Sequence, residues 1–83
     1  MGRQYFMDTK IKQVGIDIGG NIRKIRLEKG IGQTELVRML QLKNSDMTRE
    51  ALVKIERGIQ HITASQLRAI RDCLDTTYDE LLK

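Results

Sequence analysis

Apolar residues recur along this chain at intervals of three and four, in runs separated by short polar stretches that read as helix ends. From Asp17 onward, Ile18, Ile22 and Ile25 fall on one helical stripe, with Asp17 as its cap and Gly30 as its terminator. A second helix starts at Gln33, with Gly32 at the cap, Glu35 at the third helical position and Ile31 placed to pack onto Leu36. Leu36, Val37 and Leu40 form its inward face, with Met39 at the margin. After the polar run Lys43-Asn44-Ser45-Asp46, Thr48 caps a third helix, Met47 is placed to pack onto Leu52, and Gly58 ends it. A fourth has the strongest start signal in the chain: Thr63 and Gln66 make a capping box, and Ile62 and Leu67 bracket it. Leu67, Ile70 and Leu74 continue its buried stripe. Thr77 and Glu80 spell a second capping box, opening a short fifth helix that buries Leu81 and Leu82. Five helices with short connections predict an all-α domain over residues 17–83.

The segment before it, residues 1–16, follows no such period. Tyr5-Phe6-Met7 with Ile11, Val14 and Ile16 could make a short strand or an apolar arm, whereas Met1-Gly2-Arg3 has the composition of a loose end. A flexible or merely packed N-terminal extension is favoured over a strand that dimerises the chain. Its 83 residues suffice for one small core and no separate effector domain, so a small-molecule sensor is disfavoured. The 40% hydrophobic and 31% charged content is that of a globular chain. Proline and tryptophan are absent, and Leu, Ile, Val and Met must build the core.

Charge changes the picture more by its distribution than by its sum. A net +4 and an isoelectric point near 9.5 permit an anionic partner without requiring one. Arg23, Lys24, Arg26 and Lys29 crowd the first helix against Glu28 alone, while Asp72, Asp75, Asp79 and Glu80 gather late in the chain. A basic side suits nucleic acid, and a neutral-to-acidic side suits protein. The third helix adds the chemical hint: Leu52, Ile55 and Ala51 turn inward, leaving Arg49, Glu50, Lys54 and Arg57 outward. Long polar side chains at that spacing suit reading base edges and gripping phosphates.

Other chemistries find little support. The single cysteine, Cys73, excludes an internal disulfide and reads as a small buried filler. His61 lacks a second ligand at metal spacing. No glycine-rich loop follows a strand, and Gly19-Gly20 is too short for a phosphate cradle, so neither an enzyme nor a cofactor is expected. The longest apolar runs are two or three residues, so a membrane span is not expected and a cytoplasmic protein is.

Taken in order, Asn21-Ile22-Arg23-Lys24-Ile25-Arg26 with Lys29-Gly30, Gln33-Thr34-Glu35-Leu36, Ile55-Glu56-Arg57-Gly58 and Asp79-Glu80-Leu81-Leu82 resemble the lambda repressor-like, Cro/C1-type helix-turn-helix regulators. The resemblance spans Ile18 to Leu82. It implies that Gln33 touches a phosphate and braces the recognition side chains, that Arg49, Glu50 and Lys54 read bases, and that Arg57 meets the backbone. It also implies an ion pair between Arg26 and Glu56 joining the first helix to the third. With Arg23, Arg26, Thr34 and Thr48 added, these residues make up the expected DNA-binding set. Glu50, repelled by phosphates, either accepts from a cytosine amine or favours its helix N-terminus through the dipole.

Two departures from the family pattern bear on this. The turn between the second and third helices is about five residues longer than in short-turn members, through Lys43 to Met47, and Gly32 stands where a threonine, serine or asparagine is common. The reading is therefore a sequence-specific DNA-binding transcriptional regulator, a repressor, acting without cofactor as a homodimer on double-stranded DNA. Its rival is a protein-interaction module, an antitoxin or adaptor built on the same scaffold.

Overall fold

Each helix of the structure begins where a capping residue stands. In the computed structural model, which describes residues 9–11 and 14–83, the helices are α1 (Ile18–Glu28), α2 (Gln33–Leu42), α3 (Arg49–Glu56), α4 (Ala64–Leu74) and α5 (Tyr78–Leu81). Asp17 accepts from Gly20 N at 2.9 Å, Thr48 from Ala51 N at 3.1 Å and Thr77 from Glu80 N at 3.2 Å. Thr63 and Gln66 form the full capping box, Gln66 N donating to Thr63 Oγ1 at 3.2 Å and Thr63 N to Gln66 Oε1 at 2.9 Å. Gly32 starts α2 with no side-chain cap. The box at Thr77 is only half made, because the Glu80 carboxylate turns to Lys83 Nζ instead.

The ends are set by left-handed residues. Gly30 (φ 70°) and Gly58 (φ 80°) close α1 and α3, and the next amides, Ile31 N and Ile59 N, reach back to Arg26 O and Lys54 O at 3.0 Å. Asn44 (φ 64°) and Asp75 (φ 52°) do the same for α2 and α4 without being glycines. The polar run after Leu42 is thus a helix terminator as well as a loop, with Ser45 N returning to Leu40 O.

The core gathers one stripe from every helix. Ile18, Ile22, Leu36, Leu40, Met47, Leu52, Ile55, Ile62, Ile70, Leu74 and Leu81 are all essentially sealed from solvent. Burial of each such aliphatic side chain stabilises the fold by about 1.5–3 kcal/mol before entropic costs. Leu82 departs from expectation: it remains 37% exposed, since the four-residue α5 presents a single inward position, which Leu81 takes. Cys73 is buried in α4, and burial pushes its thiol pKa up, against a smaller opposing pull from Lys43. A thiol so held is a poor thiolate, in keeping with packing rather than redox chemistry.

Two long-range contacts went unread in the sequence. Lys10–Ile11 forms a strand, β1, antiparallel to Ile62–Thr63, β2, with Ile11 opposite Ile62 and Ala64 N donating to Thr9 O at 2.8 Å. Residues 9–11 therefore dock within their own chain, against the start of α4. Ile11 and Ile16 pack on the core, while Val14 is exposed. Tyr5-Phe6-Met7 and Met1-Gly2-Arg3 lie outside the described residues. The second is at Gly19, where a β-carbon would stand 2.0 Å from Ile55 O and 3.0 Å from Glu56 backbone atoms. Only a residue without that carbon lets the first turn of α1 lie against the backbone of α3. Gly19 thus sets how closely the third helix is seated.

Candidate nucleic-acid interface

At about 100° per residue, Arg49, Val53, Arg57, Glu50 and Lys54 of the α3 stretch fall in that order on an arc of roughly 140°. Leu52 and Ile55 point into the core on the far side, and Ala51 is half-buried against it. Arg49, Glu50, Lys54 and Arg57 are all exposed, as is Thr34 near the start of α2 and Arg23 on α1. Thr48 is also exposed, and its hydroxyl is occupied as the α3 cap.

Glu56 lies at the margin of that arc and turns inward, where it joins three elements. Arg26 Nε donates to Glu56 Oε2 and Arg26 Nη2 to Glu56 Oε1, both at 2.8 Å, in a bidentate fork between α1 and α3. The Arg26 side chain is 6% exposed and that of Glu56 2%. Arg26 Nη1 donates onward to Ile31 O at 3.0 Å. The hydrogen bond with Glu56 holds the Arg26 pKa above its ordinary value, outweighing burial, which acts the other way. Gln33 Nε2 completes the cluster by donating to Glu56 Oε1 at 3.1 Å.

This arrangement corrects one assignment. Arg26, counted among the DNA-binding residues, has its guanidinium enclosed by Glu56 and Ile31 and offers no charge at the surface. Its part in the ion pair with Glu56 is the one the structure displays. Gln33 is half-buried with one amide hydrogen engaged by Glu56, so the rest of its amide is held in a fixed orientation. The same carboxylate therefore fixes α3 on α1 and orients the first side chain of α2.

Around this cluster, Lys29 Nζ donates to Asp75 O at 3.1 Å, drawing one α1 cation toward the end of α4. His61 is exposed. Among the described residues no group of three or more histidine, cysteine, aspartate or glutamate side chains could hold a metal ion. No described helix is long and apolar enough to cross a membrane. The sequence pattern of charges passes over Val53, which sits on the outward arc between Arg49 and Arg57. The spacing of four that marks Arg49 and Arg57 as neighbours marks Val53 between them, but an apolar residue draws no notice in a search for charge.

Two short helices packed on each other, α2 also against α4 and α3 against α1, with a polar face on the second of the pair, define a helix-turn-helix domain. A family model described as helix-turn-helix matches residues 22–81. The chain belongs to the Cro/C1-type helix-turn-helix family, a family of DNA-binding transcriptional regulators. It is also similar in structure to a restriction-modification controller protein, solved as a tetramer in complex with its natural 35-base-pair operator. The two share 28% identity over 81% of this chain and 92% of that one, with a TM-score of 0.64. Among curated proteins none matches.

Proposed function

We infer that this protein is a sequence-specific DNA-binding transcriptional regulator that places α3 in the major groove. The observation that carries the reading is the α3 surface itself: three exposed cations and one carboxylate on a single arc, seated rigidly on the core by Gly19 and the Arg26–Glu56 fork. Such rigidity matters because base edges are read by hydrogen bonds whose geometry tolerates little drift. Arg49, Glu50 and Lys54 face the bases. Arg23, Thr34, Arg57 and the free part of the Gln33 amide hold phosphates, which fix register without carrying sequence information. Thr48 contributes by starting the helix at the groove.

Residues 17–83 form the DNA-binding unit, acting as a homodimer on a pseudo-palindromic site, as a repressor, in the cytoplasm, without cofactor or small-molecule ligand. The controller protein bound as a tetramer to its operator supports self-association on DNA.

Replacing Arg49 or Lys54 by alanine is expected to weaken binding to a selected duplex by about 1–3 kcal/mol per half-site, the worth of one good hydrogen-bonded pairing with a base edge. Thermal melting should barely move, because both side chains are exposed. Titration of each variant against a duplex selected by the parent checks this; parent-like affinity removes that residue from the base-reading set.

A further inference from the structure

Val53 is the apolar member of the outward arc of α3, and nothing in the fold accounts for it. Among the described residues, the half-buried apolar side chains packed against the core are Ile11, Ile16, Ile31, Met39, Ala51 and Ala69; Val53 is not one of them. It is half-buried all the same. One helical turn before it stands Arg49, and Arg57, one turn after it, stands on its other flank with Glu50 and Lys54 beyond, so it lies among four long exposed side chains on one arc. A branched side chain at such a position presents two methyl groups on the same arc as those polar side chains.

We propose that Val53 is a specificity-determining residue that reads thymine through its 5-methyl group. The proposal rests on the major-groove reading of α3 and deepens it. In that groove each base pair shows a distinct pattern of donors and acceptors, and thymine alone adds a methyl group, which is recognised by apolar contact rather than by hydrogen bonding. The charged residues of the arc can satisfy guanine, adenine or cytosine edges, and only Val53 offers an apolar surface among them. The same geometry makes it selective against other bases. An exocyclic cytosine amine pressed against the two valine methyls would lose its water without gaining an acceptor.

The test uses the full chain and a duplex it selects from a random pool. Each thymine of the selected site is replaced in turn by deoxyuridine, which deletes the methyl group and leaves the pairing and every hydrogen-bonding atom in place. At one thymine position, replacement is expected to weaken binding of the parent about fourfold, the worth of one buried methyl-sized group. Replacement in both half-sites should weaken it about fifteenfold, twice that free energy. Val53→Ala, a change that raises helix propensity at a site outside the core, should fold as the parent does. Carrying the change in both protomers, it should bind the thymine duplex about as the parent binds the duplex with deoxyuridine in both half-sites, and deoxyuridine should cost it much less than it costs the parent. If the deoxyuridine series weakens Val53→Ala as much as the parent, or if the selected half-sites lack thymine, Val53 does not read that methyl group. Failure of the parent to select any duplex overturns the DNA reading and this inference together, so the two failures are told apart.

Discussion

Glu56→Ala is expected to remove about 3–5 kcal/mol of stability, the loss typical of breaking one side of a buried ion pair. The carboxylate accepts from Arg26 twice and from Gln33 once, so its removal leaves the Arg26 guanidinium buried with Ile31 O alone. A small domain has about 5–15 kcal/mol in total, and the variant stands near the limit of folding. Arg26→Ala should be costly in the same way, because it leaves the Glu56 carboxylate buried with the Gln33 bond alone. The double variant should cost far less than the sum of the two, since neither charge is then left alone. Thermal melts of the four proteins give the coupling energy. Additive losses would mean that the fork between α1 and α3 contributes nothing as a pair.

Salt should act on binding as strongly as Glu56 acts on folding. Four exposed cations of each protomer, Arg23, Arg49, Lys54 and Arg57, belong to the proposed interface. If about four to six phosphates are neutralised per dimer, the logarithm of the binding constant falls against the logarithm of salt with a slope on the order of −4 to −5. Between about 50 and 200 mM salt that is a loss of several hundred-fold. Arg26 takes no part in this, being enclosed, so its conservative replacement by lysine should leave the slope unchanged in whatever fraction folds. A slope near zero in the titration favours the protein-interaction reading of the scaffold.

Legibility in the sequence divided along physical lines. Helix starts were readable because capping is local: Asp17, Thr48, Thr63 and Thr77 lie within three residues of the amides they accept from. The buried stripes were readable because periodicity alone decides which side chains share a face. Terminators were readable where glycine supplied them, at Gly30 and Gly58, and unread where Asn44 and Asp75 took the same left-handed conformation. Long-range backbone contacts leave no local mark. The pairing of β1 with β2 joins residues some fifty positions apart, through strands of only two residues each. The closeness of α1 to α3 depends on one absent carbon at Gly19. Within the candidate site, the Arg26–Glu56 pair came from family resemblance, and its enclosure is what removes Arg26 from the contact surface. Val53 was missed because its meaning depends on its neighbours around the helix and on its not reaching the core.

Selection of duplexes from a random pool by the purified full chain tests the central claim most directly. A dimer reading the major groove with α3 should enrich a pseudo-palindromic sequence, its half-site centres one helical turn, about 34 Å, or a multiple of that apart. Arg49→Ala or Lys54→Ala should relax the preference at particular positions of each half-site. Recovery of the unselected pool after repeated rounds, with no preferred sequence and no effect of either substitution, would contradict the account.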